Sequence, residues 1–183
     1  MPHAANARQP DTCEPYELIH ECRYGDGFRF SPSVFVEQDL CKQLVELYFC
    51  YIHVAFHNLF HQPSFEAGVA DGTIPKILVL GAISLSARFS VHPSLAYSEP
   101  LKRARPFTRE AEKLVDFRNI SLVTIQACML LAAGYSIEGQ PGPESVFLGV
   151  ACRMALILDL PNAPTASCLE KEINLRGELI HTQ

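Results

Sequence analysis

Three histidines stand four apart in the run His53-Val-Ala-Phe-His57-Asn-Leu-Phe-His61, and on a continuous helix that spacing lines them along one face. Two imidazoles at i and i+4 can grip a zinc ion, but a structural site needs four ligands and a catalytic one three plus water. A metalloprotease would also place a glutamate beside the first histidine as general base, and here Val54 follows His53. His53, His57 and His61 are therefore read as structural side chains. A small helical metal-binding protein or metalloenzyme built on them is the alternative.

Other chemistry is thinner. No serine lies in a Gly-x-Ser-x-Gly elbow, and there is no dinucleotide or Walker glycine motif. A reactive thiolate needs an electropositive, accessible setting. Cys41 beside Lys42 and Cys152 beside Arg153 have an adjacent cation. Both, with Cys50 and Cys128, lie in apolar helical runs where a thiol packs as a small hydrophobe. Lys102, Arg103 and Arg105 make a short basic cluster that satisfies the loose pattern of a nuclear-import signal, although Glu99, Glu110 and Glu112 nearby make a solvated helix face the plainer account. Gln126 and Arg153 each interrupt a helix that is otherwise apolar all round, and are read as a structural polar core. A buried guanidinium has to be paired, and Glu138, Glu144, Glu170 and Glu172 are the carboxylates considered. No catalytic residue is assigned.

The elements that would position these residues are helices. Apolar residues recur every three to four positions from Glu37 to Phe60, predicting an amphipathic helix of about six turns that Pro63 stops. Pro75–Ser90 is apolar on nearly every face, with Gly81, Ala82, Ser84, Ser86 and Ala87 allowing close helix approach, and is expected at the centre of a bundle. Glu99–Phe117 reads as a surface helix interrupted by Pro106. Asn119 or Ser121 caps a long apolar helix ending near Glu138, and after the break at 139–143 another runs from about Glu144 to Leu160. Pro161 and Pro164 end it, and Cys168–Leu179 is a last amphipathic stretch. With no alternating pattern longer than four or five residues, the fold class is all-α, a multi-helix bundle incomplete at its C-terminus.

Composition bounds the rest. A chain of 183 residues with 48% apolar content can bury a core without metals or disulfides. Its formal charge of −5 argues against direct contact with nucleic acid, whose affinity comes largely from Lys and Arg displacing counterions. Seven cysteines at irregular positions fit a reducing compartment, and residues 1–17 carry no secretory signal. The apolar runs Ile120–Ile137 and Val146–Leu158 read as buried helices and not as membrane spans, since Gln126 and Arg153 interrupt them and the flanks lack a Lys/Arg bias.

Three segments together resemble the fungal-specific transcription factor domain, the helical middle region that lies downstream of a six-cysteine zinc cluster in many fungal regulators. They are Leu47-Tyr48-Phe49 through His61-Gln62-Pro63-Ser64-Phe65; Ile77–Phe89; and Ser121–Gln126 with Gly149-Val-Ala-Cys-Arg-Met-Ala155 and Leu158-Asp-Leu160. The last is similar to the family's "S-L-x-x-L-Q" and "G-x-A-x-R-M-A-x-x-L-G-L". Departures are Ser145 where a Trp is common, and Asp159 and Pro161 in place of the usual Gly and His.

The resemblance implies a nuclear regulatory module, residues 34–176, preceded by a loosely ordered leader over 1–33. It implies no enzyme activity and no cofactor in this chain, zinc being expected only in the DNA-binding cluster of a full-length relative. Cys13, Cys22, Cys41 and Cys50 form no Cys-x-x-Cys pair that would supply that cluster. The implied partners are proteins, or a second copy of the chain, meeting helix faces, together with a small apolar effector; no membrane is involved. Gly177-Glu178-Leu179 can be encoded by a splice-donor-like GTGAG, so 177–183 are expected to be a non-family tail of translated intron.

Overall fold

The structure, a computed structural model, describes residues 16–56 and 58–160. The elements are mostly helical, as the apolar periodicities require, with a small sheet added at the front. The expected last helix over Cys168–Leu179, the tail 177–183 and the first fifteen residues of the leader lie outside the described residues.

The leader expectation fails from Tyr16 onward. After a 3-10 turn at Ile19–Cys22, three strands, β1 Arg23–Tyr24, β2 Gly27–Ser31 and β3 Val34–Glu37, pair antiparallel in the order β1-β2-β3. Phe28, Phe30, Val34 and Val36 point inward while Arg29, Phe35 and Glu37 face out, the period-2 burial of a one-sided sheet. The β1–β2 hairpin turns through Gly25-Asp26 with Gly25 at φ +57°, a left-handed conformation that glycine adopts without a steric penalty.

The segment is tied down over a long sequence distance. Ile19 N donates to Ile74 O at 2.9 Å, Lys76 N to Glu17 O at 2.9 Å, and Lys76 Nζ reaches Glu17 Oε2 at 3.0 Å. Those bonds satisfy the backbone ahead of the next bundle helix and pair a nearly buried ammonium.

Helix α1, Gln38–Tyr48, buries Leu40, Cys41, Leu44, Val45 and Tyr48. It widens into a π-helical turn at Phe49–His53 and a short α2, Val54–Phe56, so the expected six-turn helix is a continuous helical run that changes pitch and stops short of Phe60. Residues 58–61 are not helical, and Pro63 starts the next helix, α3 Gln62–Asp71, where a residue without an N–H costs nothing in the first turn. Gly72 closes α3 in the left-handed conformation at φ +76°.

Helix α4, Lys76–Ser86, is buried along its whole length and packs against α1, against α6, Arg105–Lys113, and against α7, Leu122–Ile137. The short α5, Pro93–Ala96, and a 3-10 turn at Pro100–Lys102 lead into α6, where Pro106 sits in the first turn instead of interrupting a longer helix. Ser121 caps α7, its Oγ accepting from Thr124 N at 3.2 Å. Helix α8, Pro141–Ile157, starts earlier than expected because Pro141 fills its first turn, and it packs mainly on α7. Two rings, Tyr135 and Phe117, flank Phe147 at that contact, at 5.8 and 6.1 Å. None of the helices among the described residues is long and apolar enough to cross a membrane.

Candidate interaction surface

Helix α8 carries apolar residues on all sides, but only one side is used. Phe147, Ala151 and Met154 are buried against α7. Diametrically opposite, at positions three and four apart, Gly149, Cys152, Arg153 and Leu156 are exposed. Val146 and Leu156 are each 60% exposed and Ile157 51%, with Leu148, Leu158 and Leu160 also open. A Cβ built on Gly149 meets nothing within 4 Å. Of these, Leu156 lies on the outward side itself, Val146 and Ile157 along one edge of it and Leu148 on the opposite flank, while Leu158 and Leu160 follow the helix.

Arg153 is thereby corrected. It was expected in a buried polar core, yet it is exposed in the middle of this outward face. The helix is apolar all round because both faces carry apolar residues, and only one of them is covered by α7. Two of the expected small-hydrophobe cysteines are corrected by the same structure: Cys50 and Cys152 are exposed, whereas Cys41 and Cys128 are buried. Burial holds the Cys41 thiol well above its ordinary value, at about 12, and Cys128 at about 11. Both stay neutral and inert as nucleophiles.

Gln126 is half-buried on α7 and its Nε2 donates to the carbonyl of Leu59 at 2.9 Å. The next carbonyl, Phe60 O, accepts from His53 Nε2 at 2.8 Å. Two side chains from separate elements thus hold successive backbone carbonyls of the connection after α2. Sequence reasoning found both residues but not that they share a task, because the 67-residue separation of Gln126 from Leu59 leaves no local pattern.

The single-face alignment of the three histidines does not hold, since the helical run reaches only Phe56 before the non-helical residues 58–61. His53 Nε2 is engaged with backbone, and His61 Nδ1 lies 2.8 Å from Ser64 Oγ; His57 lies outside the described residues. Among the described residues no three His, Cys, Asp or Glu gather as metal ligands.

The basic trio is distributed over structural contacts. Lys102 Nζ pairs with Glu99 Oε2 at 2.9 Å, and Arg105 Nε lies 3.6 Å from Glu138 Oε2. Arg103 donates to the carbonyls of Ser90 and Ser98 at 2.7 and 3.0 Å. Arg105 and Glu138 stand at a polar cleft of about 390 Å³ with Thr108, Arg109, Glu112 and Tyr135. There Tyr135 Oη donates to Glu112 Oε2 at 2.7 Å, and burial followed by that carboxylate pushes the Tyr135 phenol up to about 12. The charges of this cleft answer one another.

Known proteins place the chain. It is 31% identical over 154 residues to an uncharacterized transcriptional regulatory protein of Schizosaccharomyces pombe, an alignment covering 75% of this chain and 16% of that protein. It is 29% identical over 155 residues to the Zn(2)-C6 fungal-type transcription factor FTF1a of Fusarium oxysporum f. sp. lycopersici, covering 83% of this chain and 14% of the relative. The transcription factor FTF2 of the same fungus is 30% identical over 160 residues, again 83% and 14%. The chain therefore matches only about a sixth or less of the length of these relatives. No family model matches it, and no solved structure does. Taken with the helical order and the matching segments, these similarities show that the chain belongs to the fungal Zn(2)-C6 transcription factors, as a partial region of such a protein.

Proposed function

We propose that the chain is the regulatory middle region of a zinc-cluster transcription factor, acting on RNA polymerase II transcription by docking a helix on the outward face of α8. The observation that carries the reading is that face, with Val146, Leu156 and Ile157 more than half exposed around Gly149 and Arg153. Covering the exposed part of each such side chain is worth about 1–2 kcal/mol before the cost of association, and a partner helix offering an apolar stripe and a carboxylate opposite Arg153 would bias the bundle through those contacts. A small apolar effector would act through the same face. The relatives are transcription factors, which supports regulation over catalysis and a nuclear residence.

The test is a reporter assay with the chain set between a heterologous DNA-binding domain and an activation domain. Leu156→Glu is expected to shift output threefold or more, in either direction, while the α-helical fold is retained because the position is exposed. Unchanged output from a folded variant would refute the reading. Since Lys102, Arg103 and Arg105 are engaged in intramolecular contacts, nuclear accumulation is expected to survive Lys102→Ala with Arg105→Ala; its loss would assign import to the cluster.

A further inference from the structure

We infer that the polar cleft between α6 and the end of α7 binds a free α-amino acid, with its carboxylate on Arg105 and Arg109 and its ammonium toward Glu112 and Glu138. The inference stands on side chains that take no part in the outward face of α8.

Arg105, Arg109 and Glu112 are four and three residues apart on α6, the spacing that lines one face of a helix. Across the cleft stand Tyr135 and Glu138 at the end of α7, with Gln140 in the turn that leads into α8. The Tyr135 phenol registers the charges together: burial raises its pKa first, Glu112 and Glu138 raise it further, and Arg109 lowers it.

Two cations and two carboxylates balance in charge, but their hydrogen bonds do not balance. Arg105 Nε lies 3.6 Å from Glu138 Oε2, too far for a hydrogen bond, and that oxygen already accepts from Gln140 Nε2 at 2.9 Å. Arg109 makes no hydrogen bond or ion pair among the described residues, while Glu112 Oε2 accepts from Tyr135 Oη at 2.7 Å. Neutral donors thus take up one oxygen of each carboxylate, and both guanidinium forks stay open. The Glu138 side chain is only 11% exposed, so water serves its charge poorly and a cation is wanted beside it.

This arrangement selects a charge pattern. A guanidinium offers a carboxylate two parallel N–H donors. A simple carboxylate, however, would bring its charge beside Glu112 and Glu138, and a simple ammonium would bring its own beside Arg105 and Arg109; like charges set together are costly. A molecule that is neutral overall, with both groups on one carbon, meets both sets at once. The volume of about 390 Å³ lies at the small end of ligand sites, which suits a single amino acid. Because Gln140 directly precedes Pro141, the first residue of α8, an occupied cleft ties α6 to the α7–α8 turn.

The test is thermal unfolding of the full chain with each common L-α-amino acid in turn. At least one is expected to raise the midpoint by about 3–6 °C at about ten times its Kd, and its N-acetyl and carboxamide derivatives, each lacking one charge, to leave it unmoved. Arg109→Gln alters an exposed residue without an intramolecular partner, so the fold is retained and binding is expected to weaken about tenfold or more. Amide exchange on peptides covering 134–144 is expected to slow when the amino acid binds. The inference is overturned if no amino acid moves the midpoint at about 10 mM, ten times a Kd of about 1 mM. It is equally overturned if acetate or methylammonium alone moves the midpoint as far, or if Arg109→Gln binds as tightly as the unaltered chain.

Discussion

Gly81 lets α4 sit directly on Leu130 of α7, and its replacement by alanine sets two opposing effects against each other. Alanine improves a helix interior by about 1 kcal/mol over glycine. The new Cβ, however, would stand 2.8 Å from Leu130 Cδ1 and 3.0 Å from Leu130 Cβ. The methyl can rotate away, but the Cβ is fixed to the α7 backbone, and overpacking of this kind costs about 1–3 kcal/mol. Gly81→Ala is therefore expected to destabilise by about 1 kcal/mol despite its propensity gain. Leu130 is fully buried, so Leu130→Ala alone is expected to cost about 2–5 kcal/mol. In that background the contacts with Leu130 Cδ1 and Cγ are gone but the one with its Cβ at 3.0 Å remains, so the same substitution is expected to be about neutral. The coupling in the double-mutant cycle is then about 1 kcal/mol, outside the additive range of about 0.5. Urea unfolding with a constant slope reads it directly. Additive values, or a stabilising Gly81→Ala in the unaltered chain, would refute the close α4–α7 approach on which the placement of α8 depends.

Tyr48 is fully buried with no hydrogen-bond partner for its hydroxyl, and burial raises its pKa above the ordinary phenol value; Tyr48→Phe is expected to leave stability unchanged or raise it by about 1 kcal/mol, and a loss of that size in urea unfolding would contradict the packing. Gly72 sits at φ +76° with His20 Cβ 2.5 Å from where its own Cβ would be, so Gly72→Ala is expected to lower the thermal midpoint through both left-handed strain, about 1–2 kcal/mol, and loss of the leader's contact with α3. A maleimide is expected to modify Cys50 and Cys152 in the native chain and to reach Cys22, Cys41 and Cys128 only after unfolding, read by peptide mass spectrometry. The neutral thiols of Cys41 and Cys128 contribute stability that is whole below about pH 9, their ordinary value, and is lost as pH rises toward 11 and 12; each thiol steepens the decline by up to about 1.4 kcal/mol per pH unit, and a flat urea midpoint between pH 8.5 and 10.5 would contradict their burial.

What was legible in the sequence was whatever a local pattern dictates. The apolarity of Pro75–Ser90 on nearly every face placed a helix at the centre, found as α4, and of the two capping candidates Asn119 and Ser121 it is Ser121 that caps α7. The sheet was not legible because its strands are two, five and four residues long. Alternation over Phe28-Arg29-Phe30 and Val34-Phe35-Val36 is too short to stand out beside turn residues. What orders that segment is remote: backbone bonds to Gly72 and Ile74 and the Lys76–Glu17 pair. The histidine row was misread for a related reason. Periodicity continued to Phe60, but the π-helical turn at Phe49–His53 and the His53–Phe60 bond redirect the chain, and neither has a signature in residue types. Pro63 and Pro106, expected as breaks, stand in the first turns of α3 and α6, since a proline is compatible with either role.

Arg153 shows how a misplacement can still carry information. A cation inside an all-apolar helix suggests a buried, paired guanidinium, which is the correct inference when both faces of the helix are covered. The structure covers one face, with Phe147, Ala151 and Met154, and leaves the other, with Arg153 at its middle, open. Val146, Leu156 and Ile157 gain nothing from standing in water, and a carboxylate opposite Arg153 would give its guanidinium a charge-assisted partner. On the function proposed above, α8 would be a helix that a partner covers and uncovers: two packings of one surface, close enough in free energy for the partner to choose between them.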